Sequence, residues 1–214
     1  MRKKVGIVSV IISIVVYLLF SFYNLINGSQ WIFDSISSII FIIFVFSIRK
    51  WFKIRRFEFL LINIALVIHN LGAFGFYSWS FWIIEYDNVV HFVASVVAAY
   101  VIFDFIARKL HIKENQRVKS TVVDEHKVIF ITIVIASVVM LGTFIELIEY
   151  GGYVFLGKGE GIFFTGVGDS GKLGVVGEHY DDTMNDILVN ILGSISGVLV
   201  YYYSEYKRKP WLRY

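Results

Sequence analysis

The sequence predicts an all-α fold, that of a polytopic integral membrane protein built as a bundle of six transmembrane helices. Of its 214 residues, 57% are hydrophobic, the mean hydropathy is +0.69, and proline occurs once. Apolar runs of about 20 residues recur along the chain, and a helix of that length crosses a bilayer core about 30 Å thick. The length of the chain suits a single transmembrane domain over residues 1–214.

We predict the spans at about 5–26, 31–48, 58–78, 88–107, 128–150 and 184–204. The first span resembles a signal peptide, because basic residues precede it. Its apolar run is too long, however, and no small-residue cleavage site follows, so we interpret it as a membrane helix. A glycine-rich loop over 151–183 joins the fifth and sixth spans, and it is either a lid or a flexible linker.

Basic residues predict the orientation of the bundle. All of them except Lys158 and Lys172 fall on the side that holds both termini. The positive-inside rule makes that side cytoplasmic, which predicts a multi-pass protein of the cytoplasmic (plasma) membrane. The opposite, outer side is acidic and would attract cations. Since the basic residues follow the membrane topology, we expect no nucleic-acid partner. The absence of cysteine excludes disulfides, thiolate metal sites and a cysteine nucleophile.

Three pairs of ionisable residues occur at the predicted outer ends of the fourth, fifth and sixth spans. Each pair lies three or four positions apart, and therefore on one helix face. Charge at membrane depth costs roughly 2.5–3.5 kcal/mol on insertion scales, so such residues are functional candidates. The pairs are Asp87 and His91 in YDNVVHF, Glu146 and Glu149 in FIELIEY, and Asp182 and Asp186 in DDTMND.

Five carboxylates and one imidazole in a helical bundle are typical of a divalent-metal site. Without a cation the carboxylates would repel one another. Oxygen ligands with one imidazole suit Mg, Mn, Zn, Ca or Fe, so the identity of the ion stays open. We predict that Glu146 is the catalytic residue, a general base toward water. The predicted metal ligands are Asp87, His91, Glu149, Asp182 and Asp186.

Each candidate also has a structural interpretation. Asp87 could be a solvated residue at a helix end, Asp181 or Asp182 could cap the sixth helix, and His91 could form a hydrogen bond inside the bundle. Asp186, the deepest acid of its span, is the hardest to explain in this way.

Other residues are weaker candidates. His69 is expected to pack in the third span, and His179 could complete the site or be solvated. Asp104 is expected to extend toward the inner interface. Gly193 and Gly197 form a small-residue motif that predicts close helix packing.

The same motifs resemble those of the YjdF-like inner-membrane proteins, a family of unknown function. YDNVVHF, FIELIEYGG and YDDTMNDILVNILGSISG match its D-x-x-x-H, E-x-x-E and D-T-x-x-D elements in order, over roughly residues 60–200. One departure is that Gly168-Asp169 stands about a dozen residues before Asp182, whereas the family has a Gly-Asp almost next to that element. A fainter similarity links the chain to VanZ-like membrane proteins. Neither resemblance implies a known reaction.

Three functions remain open from the sequence. The first is a metal-dependent hydrolase or phosphotransferase that acts on a lipid or lipid-linked substrate in the bilayer. The second is a cation transporter or ion-binding protein, although no continuous polar path is evident along the fourth and sixth spans. The third is a non-catalytic scaffold in which a metal ion ties helices together.

Overall fold

The computed structural model describes residues 6–29, 31–82, 84–113, 126–156 and 178–206. Six long helices account for most of them, as the hydropathy pattern predicts. They are α1 Ile7–Ile26, α2 Ile32–Ile48, α3 Arg56–Leu71, α4 Tyr86–Lys113, α5 Lys127–Leu156 and α6 Glu178–Tyr201. The all-α membrane fold is thereby confirmed.

Five segments that contain α1, α3, α4, α5 and α6 are long and apolar enough to span a membrane. The remaining helix, α2, is apolar but has 17 residues, at the lower limit for a span. Its N-terminal half turns Asp34, Ser35 and Ser38 into the protein interior, where all three are buried. Helix α2 therefore carries polar side chains into the bundle at the end where α1 finishes and α2 begins.

The third span is shorter as an α-helix than the sequence predicts. We expected a helix over 58–78, but α3 ends at Leu71 and two 3-10 turns follow, Gly72–Phe74 and Phe76–Ser78. Gly75 separates the turns with a φ of 93°, a left-handed conformation that glycine adopts readily. A short antiparallel pair, β1 Ser80–Phe81 and β2 Ile84–Glu85, then leads into α4.

The loop between the last two spans is shorter than predicted. Helix α5 continues to Leu156 and α6 begins at Glu178, so helix occupies both ends of the predicted 151–183 loop. The capping interpretation of Asp181 and Asp182 is wrong, because both residues lie inside the first turns of α6. The positive end of the helix dipole favours acidic residues near the N-terminus of a helix. The central part of the glycine-rich loop, with Asp169, lies outside the described residues.

Helices α4 and α6 pack closely because two glycines of α6 face α4. A Cβ atom at Gly197 would lie 2.4 Å from the Val96 carbonyl oxygen, and one at Gly193 would lie 2.7 Å from that of Phe92. No side chain fits at such separations, so the small-residue motif brings the two backbones together. This contact sets the position of the polar residues that α4 and α6 carry at one end.

The same contact predicts a large effect of added bulk. Gly197→Leu should push α6 from α4 and lower the unfolding free energy by about 1–3 kcal/mol or more, the usual cost of overpacking. Thermal unfolding in detergent, followed by tryptophan fluorescence, measures it. Gly151→Leu is the matched control, because nothing lies within 4 Å of its added Cβ. Equal melting temperatures for the two variants would contradict the close packing.

At the opposite end of the bundle, a buried ionic cluster joins α3 to α4. Glu58 and Asp104 are 0% and 2% exposed. The Arg108 Nε lies 2.7 Å from the Asp104 carboxylate, and its Nη2 is 3.2 Å from that of Glu58. Arg55 pairs with both acids. The expectation that Asp104 extends to the interface is wrong, because two guanidinium groups hold it inside.

Candidate metal centre

Three helices bring one imidazole and three carboxylates to a common point. Asp87 lies in the first turn of α4, and His91 lies one turn later on the same face. Glu146 approaches from α5 and Asp186 from α6. Local sequence explains each placement, because a spacing of four residues repeats one face of a helix. The glycine contact between α4 and α6 then brings Asp186 near His91.

The imidazole of His91 stands at the centre of the group. Its Nε2 atom lies 3.4 Å from the Asp87 Oδ2, 3.7 Å from the Glu146 Oε1 and 4.0 Å from the Asp186 Oδ2. Three ligand atoms, one each from Asp87, His91 and Asp186, all lie within 4.8 Å of one another. One ring nitrogen thus faces one carboxylate from each of three helices.

These separations are too long for direct hydrogen bonds and are compatible with a shared ion. An N–H···O hydrogen bond spans about 2.7–3.2 Å, so all three distances are too long. Donors that bind one ion at about 2.0–2.2 Å are separated by roughly 3.0–3.5 Å in octahedral or tetrahedral arrangements. The donors of the group therefore need only small shifts to meet around a single divalent cation.

Burial differs across the site. The side chains of Asp186 and Glu146 are 2% and 5% exposed, whereas those of His91 and Asp87 are 12% and 15% exposed. Asp186 also has a buried Oδ1 atom with no hydrogen-bond partner in the described part of the chain. The site is closed on the α5 and α6 sides and more open on the α4 side, at the end of the helix.

One turn farther into the bundle, a hydrogen bond joins α4 to α6 next to the carboxylate group. Ser95 on α4 donates a hydrogen bond of 2.7 Å to the Asn190 Oδ1 on α6. The Asn190 Nδ2 is buried and has no hydrogen-bond partner among the described residues. Gly142 on α5 leaves space for this amide, since a Cβ there would lie 2.3 Å from it. The stripe that the sequence predicts on α6 therefore continues inward from Asp186 to Asn190.

Two predicted ligands do not join the close group. Glu149 and Asp182 are partly buried and lie one turn from Glu146 and Asp186 respectively, outside the set of ligand atoms that share the 4.8 Å limit. Their assignment as ligands stays a prediction. His179 lies in the first turn of α6, in a part of the helix whose side chains the structure does not describe.

A second polar cluster, which the sequence interpretation missed, lies between α2 and α3. His69 was expected only to pack, but its Nε2 faces the Asp34 Oδ1 at 3.7 Å. The sequence does indicate that the start of α2 and the end of α3 lie at the same end of the bundle as the first cluster, which places Asp34 and His69 at a similar depth. No spacing rule links residues 35 positions apart, so the pairing could not be read from the sequence.

Comparison with protein-family models places the chain among membrane proteins. A family described as a predicted membrane protein, DUF2238, matches residues 7–207. The chain belongs to this family. Its description establishes a membrane protein and assigns no reaction to DUF2238 members. No curated protein and no solved structure matches the chain. The bilayer is thus the environment of this DUF2238 protein, and its site must be interpreted from its own geometry.

Proposed function

We propose that this protein is a metal-dependent membrane hydrolase or phosphotransferase whose substrate is a lipid or a lipid-linked phosphoester. The observation that carries the proposal is the arrangement around His91, where one ring nitrogen faces a carboxylate from each of three helices. Helical bundles use this type of arrangement to bind divalent ions.

The residues divide into ligands and a base. Asp87, His91 and Asp186 would hold the ion, because their donor atoms form the closest set. A bound ion would supply Lewis acidity and neutralise a phosphate. Glu146 faces the same ring from the buried side and would accept a proton from the attacking water or hydroxyl group. Glu149 and Asp182, one turn away, would hold a second water near the ion.

The substrate class follows from the surroundings of the site. The cluster lies at the end of membrane-spanning helices, where a lipid headgroup meets the water boundary. Three carboxylates repel an anion, so a phosphoester would bind there only through the ion. Three side-chain ligands leave coordination positions for substrate, a feature of catalytic rather than purely structural metal sites.

A cation transporter is the alternative, and the interior of the bundle disfavours it. A transported ion would have to pass inward from the site between α4, α5 and α6. A buried apolar cluster fills that region, with Tyr100, Phe103, Val138, Val198 and Tyr201 among its members. Beyond Asn190 and Ser194, the described residues of α6 that enter this cluster are Val198 and Tyr201. A hydrolase at the membrane boundary needs no path across it.

The orientation belongs to the same proposal. Because basic residues gather at the other end of the bundle, the site would face the outer side of the cytoplasmic membrane, with both termini inside. Membership of DUF2238 is compatible with the YjdF-like resemblance of the three motifs. The acidic outer side would draw divalent cations to the site.

The test combines metal analysis with a turnover assay. Detergent-purified protein, equilibrated with Mn²⁺ or Zn²⁺ and then desalted, should retain the ion. It should also release inorganic phosphate from vesicles that contain phosphatidic acid or a polyprenyl diphosphate. Glu146→Gln should keep the metal and lose at least about 100-fold in rate, the usual contribution of a general base.

Two results would sink the proposal. One is phosphate release that persists in EDTA or in Glu146→Gln. The other is the absence of retained metal in folded wild-type protein after incubation with either ion. Metal uptake into sealed proteoliposomes, without any phosphate release, would establish the transporter instead. His126→Gln serves as a control, because His126 is exposed and distant in sequence from every candidate ligand.

A further inference from the structure

Asp34 on α2 and His69 on α3 approach each other between the two helices. Asp34 is 5% exposed and lies in the first turn of α2. Its Oδ1 atom is 3.7 Å from the Nε2 of His69, which lies in the last turn of α3. Within the described residues, His69 is the one basic side chain within 4.0 Å of this carboxylate. The distance is too long for a hydrogen bond.

The other ring nitrogen of His69 is already bound. Its Nδ1 lies 2.9 Å from the hydroxyl of Tyr77, and that hydroxyl is also 3.4 Å from the His69 carbonyl oxygen. If the His69 Nδ1 donates to the Tyr77 oxygen, the Tyr77 hydroxyl donates in turn to the His69 carbonyl oxygen, and both donors have a partner. The Nε2 atom then carries no hydrogen and can act only as an acceptor. An outer hydrogen bond of this kind is what orients a metal-binding histidine.

The Nε2 atom is also a buried polar atom without a hydrogen-bond partner in the described part of the chain. It faces a carboxylate, and a second unpartnered acceptor, the Asn24 Oδ1, is buried on neighbouring α1. Asn24 is tied to α2 through weak contacts of its amide with Trp31 and Ser35. The His69 Nε2 and the Asp34 Oδ1 lie 3.7 Å apart, and a cation between these two acceptors would stabilise them.

We propose that Asp34 and His69 form a second metal-binding site, for a divalent ion that accepts both imidazole and carboxylate, such as Zn²⁺ or Mn²⁺. Two protein ligands leave most coordination positions to water or to oxygens of a bound anion. The His69 side chain is 21% exposed, whereas its Nε2 atom and Asp34 are buried. The affinity should be lower than at the three-ligand site on α4 and α6.

The two sites adjoin. Tyr86, which precedes Asp87, donates a hydrogen bond of 2.6 Å to the carbonyl of Ile68, which precedes His69. The Tyr86 ring also contacts that of Tyr77, with centroids 5.7 Å apart. A second ion would therefore add positive charge beside the first. That role in substrate binding rests on the proposed function, whereas the binding of the ion does not.

Metal stoichiometry tests the inference. Wild-type protein in detergent is titrated with Zn²⁺ against a chromophoric chelator, and bound metal is counted by elemental analysis. We expect two classes of site, about one ion each. Asp34→Asn combined with His69→Gln should lose the weaker class and keep the tighter one. Asp186→Asn should do the reverse, which separates failure of this inference from failure of the proposed function.

Variants of the histidine environment sharpen the result. Tyr77→Phe removes the group that orients the ring, and it should weaken the second class by about 10–100-fold without changing the first. His126→Gln should leave both classes unchanged. A single class of sites in the wild type, unaffected by the Asp34 and His69 substitutions in protein with a normal melting transition, would overturn the second site.

Discussion

Asp186→Asn is expected to abolish tight metal binding and yet to stabilise the metal-free protein. Asp186 is buried, and its Oδ1 has no hydrogen-bond partner in the described part of the chain. A buried carboxylate of this kind is costly, and asparagine removes the charge while keeping the shape. In EDTA, the unfolding free energy should rise by about 1 kcal/mol or more. Metal affinity should fall by more than the roughly 10–100-fold that loss of an outer-shell contact costs.

Thermal unfolding with and without metal measures both effects. A ligand that binds only the folded state at 100 times its dissociation constant adds about 2.7 kcal/mol of stability. Wild-type protein should therefore melt at a higher temperature with Zn²⁺ or Mn²⁺, and Asp186→Asn should not respond at the tight site. Ser196→Ala is the control, because Ser196 lies on the same helix and its hydroxyl donates a hydrogen bond of 2.9 Å to the Leu192 carbonyl oxygen. If Asp186→Asn melted below the wild type in EDTA, the buried charge of Asp186 would not destabilise the metal-free protein, and the prediction would be wrong.

Opposite effects of Asp186→Asn on metal affinity and on stability would identify a functional site. A residue kept for stability alone would lower stability when it is replaced, whether or not metal is present. Proteins accept buried, mutually repelling groups mainly where an ion or a substrate needs them. The pair Ser95 and Asn190 behaves differently, because it satisfies one of its polar atoms internally. Metal-dependent stability would therefore distinguish the carboxylates around His91 from the contact between Ser95 and Asn190.

Much of the fold could be predicted from the sequence because membrane helices obey simple rules. Hydropathy and helix length located all six helices, and positions i and i+4 placed Asp87 beside His91 on one face. The ends of elements were less predictable. Gly75 interrupts the third span by its backbone conformation, and α5 and α6 extend into a glycine-rich stretch that composition alone assigns to a loop.

Contacts between helices were harder to predict than the helices themselves. Depth in the membrane indicated that Glu146 and Asp186 lie at the level of His91, and the structure brings all three together. Depth could not show that Asp34 meets His69, because lateral packing decides that contact. The same limit applies to the contact of Asp104 with Arg55, which lies at the start of α3, whereas its other partner, Arg108, lies one turn along α4. Ion pairs within the bundle therefore emerged only from the packing of α2, α3 and α4.

Arg108→Ala is expected to have the largest effect on stability. Arg108 binds two buried acids, with its Nε 2.7 Å from the Asp104 carboxylate and its Nη2 3.2 Å from that of Glu58. Removal of Arg108 leaves both carboxylates to Arg55 alone. Breaking a buried ion pair in this way costs about 3–5 kcal/mol, because an uncompensated charge stays inside. For a chain of this length, the melting temperature should fall by about 10 °C.

Charge balance gives the decisive variant. Asp104→Asn in the Arg108→Ala background restores a balance of one guanidinium to one carboxylate, that of Arg55 with Glu58, which lie 2.7 Å apart in the native protein. We expect this double variant to melt above the Arg108→Ala single variant, although it has lost one more native group. Lys50→Ala, a change at an exposed basic residue of the same side, should have little effect. If the double variant melted lower than the single one, hydrogen bonding rather than buried charge would hold α3 to α4.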